Sequence, residues 1–232
     1  MKYEIFLVDV DDTILDFHAS SSKALLAAAK ECGLIWTEEY QTRFRAFNAT
    51  LWQSLERGEI TRTYLMDNRF RLFFAELGLE ERVGEKFNKI FLHTLATTPI
   101  FMDGAKEFLK TLQKHGRVYF VTNGTAWIQK SRFDLCGLWE YAKATFVSEA
   151  VGYDKPSPFY TKRVIESIED FDKSKAIWIG DSLSSDIKAA NEAGIDSIWL
   201  NKSKEVKGEI KPTYFAVDYA EIYNILGLFG KN

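Results

Sequence analysis

The stretch Glu4-Ile5-Phe6-Leu7-Val8-Asp9-Val10-Asp11-Asp12-Thr13 decides how the rest of the chain is read. Ile5 to Val8 is a short apolar run of the kind found in a strand covered on both faces of its sheet. It stops at three carboxylates within four residues, Asp9, Asp11 and Asp12. Buried together without a cation, these groups would repel one another and raise the free energy of the fold by several kcal/mol. A cationic partner is therefore expected at the end of this strand, and a divalent metal is the simplest one. If the backbone stays extended, Asp9 and Asp11 project to one side and Asp12 to the other. The competing reading is an acidic turn that merely follows a strand, and the remaining sequence decides between the two.

Downstream the pattern changes twice. From Ser20 to about Ala96 only helical periodicity is found. Ser20, Ser21 and Ser22 are the expected N-caps of a first helix through Ala24–Ala29 that closes at Gly33. A second helix is expected from about Thr37 to Leu55, a third from near Thr61 to Leu77, and a fourth from about Glu81 to Ala96. From Pro99 onward, helices alternate with short apolar strands. The strands are expected at Val118–Val121, Thr145–Val147, Ala176–Ile179 and Ser197–Leu200, with a weaker one at Tyr214–Val217 and a last helix at about Tyr219–Leu228. Such alternation implies a parallel sheet with right-handed crossovers. The expected fold is α/β: a Rossmann-like parallel core with helices on both faces, plus an inserted all-helical domain. The core takes residues 1–15 and 98–232, and the helical insertion takes residues 16–97. An insertion directly after the first strand is placed at the carboxyl edge, where open α/β sheets bind ligands, and a cap that excludes water is the expected role.

Composition narrows the classes. The chain has 232 residues, 46% hydrophobic and 15% aromatic, enough for a sizeable core and unlike a disordered segment. Its net charge of −3 comes from 30 basic and 33 acidic residues spread along the sequence, so neither nucleic acid polymers nor membranes are expected partners. Cys32 and Cys136 lack metal-ligand spacing, and free thiols in a reducing, cytoplasmic setting are expected. No signal-peptide pattern or membrane-length apolar run is present.

Four segments bring polar groups to the same sheet edge: Asp9 with Asp11, Thr122 with Asn123, Lys155, and Asp181 with Asp186. Each alone has a plain structural reading as a turn, a surface lysine or a helix cap. Together they suit phosphoryl transfer through an aspartyl phosphate. One carboxylate attacks phosphorus, and a second serves as acid and then base. A lysine and a divalent cation offset the negative charge, while a hydroxyl and backbone N–H groups hold the phosphate oxygens. Oxygen ligands from Asp9, Asp11 and Asp181 suit Mg²⁺, and no Cys/His cluster points to zinc.

The set Asp9-x-Asp11-x-Thr13, Thr122-Asn123-Gly124, Lys155-Pro156 and Gly180-Asp181-x-x-x-x-Asp186 closely resembles the four motifs of the haloacid dehalogenase-like (HAD) hydrolases with a helical cap. The resemblance implies that Asp9 is the nucleophile and Asp11 the general acid/base. It implies phosphate binding by Thr122 and Asn123 and charge neutralisation by Lys155. Asp9, the backbone carbonyl of Asp11, and Asp181 would ligate Mg²⁺, with Asp186 and Thr13 in support. Asp12 stands where the family often has glycine, and its expected role is to shape the turn. Because a halide leaving group needs no proton, Asp11 favours a phosphatase over a dehalogenase.

The helical insertion adds Asn48-x-x-Leu51-Trp52, Gly58-Glu59-Ile60-Thr61 and Arg69-Phe70, similar to the cap of the noncanonical pyrimidine nucleotidases, a 5′-nucleotidase branch. Ser148-Glu149-x-Val151-Gly152 and Asn191-x-Ala193-Gly194 resemble the same branch. The implied substrates are nucleoside 5′-monophosphates, with Trp52 and Phe17 as base-contacting residues whose plain alternative is packing within the cap. A phosphatase or mutase for a small sugar phosphate, and a catalytically idle binding protein of the same fold, are the competing readings. The sequence does not specify an oligomeric state.

Overall fold

The computed structural model describes residues 2–201 and 208–228. The chain divides into two compact units, Met1–Asp16 with Ile100–Asn232, and Phe17–Pro99.

The first unit is built on a six-stranded, wholly parallel sheet. Its strands are β1 (Ile5–Val8), β2 (Arg117–Thr122), β3 (Ala144–Val147), β4 (Ala176–Gly180), β5 (Asp196–Leu200) and β6 (Tyr214–Ala216), in the spatial order β3-β2-β1-β4-β5-β6. The earliest strand thus lies between β2 and β4, with Val8 opposite Phe120 on one side and Ile179 on the other. All strands run the same way, so the residues that follow β1, β2 and β4 emerge together at one edge. Alternation along β1 sends Phe6 and Val8 into one apolar layer and Ile5 and Leu7 into the other. The expected Rossmann-like α/β architecture is the one observed.

Among the helices, α1 (Phe17–Glu31), α2 (Glu38–Glu56), α3 (Arg62–Glu76) and α4 (Glu81–Thr97) make up the second unit. The sheet unit holds α5 (Ala105–His115), α6 (Ala126–Cys136), α7 (Ser148–Val151), α8 (Pro158–Glu166), α9 (Lys188–Ala193) and α10 (Tyr219–Leu226). Phe108 and Leu112 of α5, Phe133 of α6 and Ile222 of α10 fill the layer shared with Phe6 and Val8. Tyr160 and Val164 of α8 and Ala189 and Ala190 of α9 fill the opposite layer, with Ile5 and Leu7.

In the helical unit, Thr37 and Thr61 cap α2 and α3, their hydroxyls accepting from Tyr40 N at 3.2 Å and Tyr64 N at 3.1 Å. Phe44, Phe70, Phe73, Phe74, Phe87 and Phe91 form its core, with Phe44 and Phe70 stacked at 4.5 Å. Gly84 lets α4 approach α3, since a side chain there would come within 2.8 Å of the Arg71 backbone. One capping expectation is corrected. α1 begins at Phe17, and the serines expected as its caps lie inside it, with Ser20 and Ser21 buried and Ser22 Oγ donating to His18 O at 2.7 Å. A hydroxyl satisfied by the carbonyl four residues back can stay within a helix, and small side chains suit its buried face. Cys32 and Cys136 are free thiols. Among the described residues no helix is long and apolar enough to cross a membrane.

Candidate active site

Asp9 follows β1 in the alternation that places Ile5 and Leu7 toward α8 and α9, and its backbone N–H still donates to Ile179 O at 2.9 Å. From the same side come Lys155, just ahead of α8, and Asp186, just ahead of α9. Lys155 is 1% exposed. Its ammonium donates to Asp9 Oδ1 at 2.6 Å, Asp186 Oδ1 at 2.7 Å and Val121 O at 2.9 Å, so every N–H it owns is used. Asp186 also accepts from Trp178 Nε1 at 3.1 Å and from Ser182 N at 3.3 Å. Gly180 makes this possible: a Cβ at that position would collide with the Asp186 carboxylate.

The electrostatics show a site short of positive charge. Burial pushes the Asp9 carboxyl up to about 8; Lys155 opposes this, and Asp186 and Asp11 add to it. Burial alone would lower the pKa of Lys155, but Asp186 and Asp9 outweigh it and hold the ammonium well above its ordinary value. Asp181 is raised well above the usual carboxylate range by burial first and then by the charges of Asp9, Asp186 and Asp12. Carboxylate oxygens of Asp9, Asp181 and Asp186 lie within 4.8 Å of one another. One lysine shared between two of three clustered carboxylates leaves unbalanced negative charge, and hard oxygen donors so grouped suit a divalent cation of the Mg²⁺ type. The expected contribution of Asp11 to such a site is its backbone carbonyl; its carboxylate is turned elsewhere.

Thr122 ends β2 and is fully buried. Asn123 clamps the lysine loop: its Nδ2 donates to Lys155 O at 2.9 Å, and its Oδ1 accepts from Lys155 N at 2.8 Å. Asp11 departs from the extended-chain expectation. The chain turns directly after Val10, whose carbonyl accepts from both Ile14 N and Leu15 N at 2.8 Å, and Asp12 takes a left-handed φ of 58°. That backbone region favours glycine and tolerates aspartate, which explains the residue at this position. The Asp11 carboxylate has partners of its own. Asp11 Oδ2 accepts from Gln129 Nε2 at 2.9 Å, and Oδ1 lies 2.7 Å from Arg132 Nη1. Thr13 is buried, and its carbonyl accepts from Tyr219 Oη at 2.6 Å.

Phe17 and Trp52 belong to the helical unit. Both are half-buried, and the Arg62 guanidinium sits 5.5 Å over the Trp52 ring. Gln129, Arg132 and Trp178 are polar partners that the strand-end motifs did not reveal. A signal existed for the first two. They lie three residues apart on the same helix as the core residues Ile128 and Phe133, where a polar pair implies partners.

The haloacid dehalogenase-like hydrolase pattern matches residues 3–194. The chain belongs to the haloacid dehalogenase-like hydrolases. This HAD hydrolase is 35% identical to the HAD-hydrolase YfnB of Bacillus subtilis, over 98% of this chain and 97% of that one. It is 33% identical to the pyrimidine 5′-nucleotidase PynA of Streptococcus pneumoniae, covering 97% of this chain and 96% of the relative. The pyrimidine 5′-nucleotidase YjjG of Escherichia coli is 27% identical, with 97% and 99% covered. A crystal structure of YfnB bound to magnesium superposes with a TM-score of 0.91 at 34% identity, over 97% of this chain and 99% of that one.

Proposed function

We propose that this HAD hydrolase is a Mg²⁺-dependent phosphomonoesterase acting on nucleoside 5′-monophosphates, pyrimidine nucleotides such as dUMP and dTMP foremost. The phosphatase reading is carried by the Lys155 ammonium bonded at once to Asp9, Asp186 and the Val121 carbonyl, with a second carboxylate, Asp11, held apart on its own partners. The substrate class is supported by likeness to PynA and YjjG over nearly the whole chain.

Asp9 Oδ1 is engaged by Lys155, so Oδ2 is the attacking atom. As the Oδ2–P bond forms and the P–O bond to the nucleoside breaks, Asp11 gives its proton to the departing oxygen. The ionised Asp11 then takes a proton from water, whose oxygen attacks phosphorus. The acyl–phosphate bond breaks, and Asp9 and inorganic phosphate are released. Lys155 lowers the repulsion between the Asp9 carboxylate and the incoming phosphate. Thr122 and Asn123 are assigned to the phosphate oxygens. Mg²⁺, held by Asp9, Asp181 and the Asp11 carbonyl, would supply Lewis-acid charge neutralisation at the phosphoryl group. Asp186 positions Lys155, and Thr13 supports the turn after β1. Trp52 and Phe17 are the proposed base contacts, and the helical unit is the proposed cap.

Phosphate release from a panel of nucleotides and sugar phosphates, with Mg²⁺ and with Asp9→Asn as control, tests the reading. Faster release from sugar phosphates than from dUMP or dTMP overturns the nucleotidase assignment. Undiminished turnover by Asp9→Asn, or no turnover of any ester by the wild type, overturns the mechanism.

A further inference from the structure

The proposed chemistry leaves two buried polar residues of α6 without a task. Gln129 is 2% exposed and Arg132 1%, and the layer beneath α6 is apolar. Polar groups in such a place destabilise the fold unless they are paired. Here the pairing runs outward to the strand ends. Arg132 Nη1 donates to Gln129 Oε1 at 2.9 Å and lies 2.7 Å from Asp11 Oδ1. Gln129 Nε2 donates to Asp11 Oδ2 at 2.9 Å and to Thr122 Oγ1 at 3.0 Å. Gly124 leaves room for the amide, since a side chain there would press on Gln129 Cγ and Nε2 at 3.0 Å.

The polarity of this chain of bonds follows from the groups themselves. A guanidinium has donors and no acceptor, so the Gln129 amide must turn its oxygen to Arg132. Its nitrogen then faces Asp11 and Thr122. The Thr122 hydroxyl is thereby used as an acceptor, and its own proton is directed elsewhere. Arg132 Nε and Nη2 are buried and make no hydrogen bond, so the guanidinium is not there to satisfy its surroundings.

We propose that Gln129 and Arg132 are positioning residues. Arg132 sets the orientation of the Gln129 amide, and the amide holds the Asp11 carboxylate and the Thr122 hydroxyl in one register, with the hydroxyl proton directed at a phosphate oxygen. This rests on the reading of Asp11 as acid/base and Thr122 as phosphate ligand given above.

The test separates proton-dependent from proton-independent cleavage, using the full-length enzyme with saturating Mg²⁺. p-Nitrophenyl phosphate has a leaving group that departs without a proton; dUMP, or glucose 6-phosphate if the panel favours sugars, does not. Gln129→Leu and Arg132→Met are compared with Asp11→Asn. Each is expected to lose about 30-fold or more in turnover of the alkyl ester, within the range for a displaced acid/base group. The rapid-mix burst of p-nitrophenol is expected to fall by less than about threefold, followed by slow turnover. Arg132→Lys, which keeps a cationic donor, recovers much of the alkyl-ester rate. Should Gln129→Leu not fold, the Arg132 pair carries the same comparison. An equal fall in burst and alkyl-ester turnover, or no fall in either, overturns the positioning role. If Asp11→Asn shows the split and the Gln129 and Arg132 variants do not, the positioning proposal alone fails. If Asp11→Asn shows none, the acid/base reading falls with it.

Discussion

Replacing Lys155 by Met keeps most of the aliphatic stem and removes the ammonium. Three hydrogen bonds disappear, to Asp9 Oδ1, Asp186 Oδ1 and Val121 O. Asp186 keeps Trp178 Nε1 and Ser182 N, whereas Asp9 is left buried beside another carboxylate with no cation. Removing one partner of a buried ion pair costs about 3–5 kcal/mol. For a chain of this size the loss lowers Tm by roughly 6–20 °C in metal-free buffer. The sign of the pH dependence follows. With Lys155 gone, the folded pKa of Asp9 rises further above its unfolded value. The stability this group contributes is then fully present below about pH 4 and is lost as pH rises toward the folded value. In the wild type the same loss ends near pH 8, where Asp9 ionises, so the gap between variant and wild type should stay level below about pH 7 and widen above about pH 8, and Mg²⁺ should narrow it by restoring a cation near Asp9. Urea unfolding followed by circular dichroism, with EDTA and with Mg²⁺ at about pH 7 and about pH 9, measures each term. A loss below about 1 kcal/mol at pH 7, or a gap that does not widen between about pH 7 and about pH 9, would refute the claim that Lys155 is the counter-charge of the site.

Gly180→Ala should drive the Asp186 carboxylate from its seat and destabilise the fold by about 1–3 kcal/mol, with a fall in kcat; denaturant midpoints and turnover check this. Saturating Mg²⁺ at about 100 times its Kd should stabilise the wild type by about 2.7 kcal/mol, and Asp181→Ala should remove most of that shift in a thermal scan. At the far edge of the sheet, Asp196 accepts from Lys2 Nζ and Tyr3 Oη, both at 2.6 Å, and its pKa is held below the ordinary value by the Lys2 bond first and the Tyr3 bond next. A depressed carboxylate contributes stability above its unfolded pKa and loses it as pH falls through the folded one. Asp196→Asn should therefore flatten the acid limb of the stability curve below about pH 4, where wild-type and variant unfolding midpoints converge.

Period and punctuation made the fold legible, because the short strands are apolar runs closed by polar residues and the first three helices of the insertion end at Gly33, Gly58 and Gly78. The start of the first helix was not legible, because Ser20 and Ser21 read as caps by type and only the tertiary environment shows them packed inside a helix. The polar strand ends were legible as a constellation, since a parallel sheet must deliver the residues after β1, β2 and β4 to one edge, and Asp9, Lys155 and Asp186 are joined there. The direction of Asp11 was not legible. Extended-chain alternation would have aimed it with Asp9, but the turn at Val10–Leu15 breaks the period, and a left-handed Asp12 carries no mark that separates it from any other aspartate. Gln129 and Arg132 were hidden for a related reason: their partner is a residue more than a hundred positions earlier, and helical spacing shows only that they share a face. The division of labour among the carboxylates is thus a product of backbone geometry. Asp9 is bound to a lysine and grouped with Asp181 and Asp186, while Asp11, two residues on, is tied to an amide and a guanidinium on another helix. In the proposed mechanism one group needs metal-assisted charge balance and the other must be able to exchange a proton, and a single turn after β1 is what gives them different surroundings.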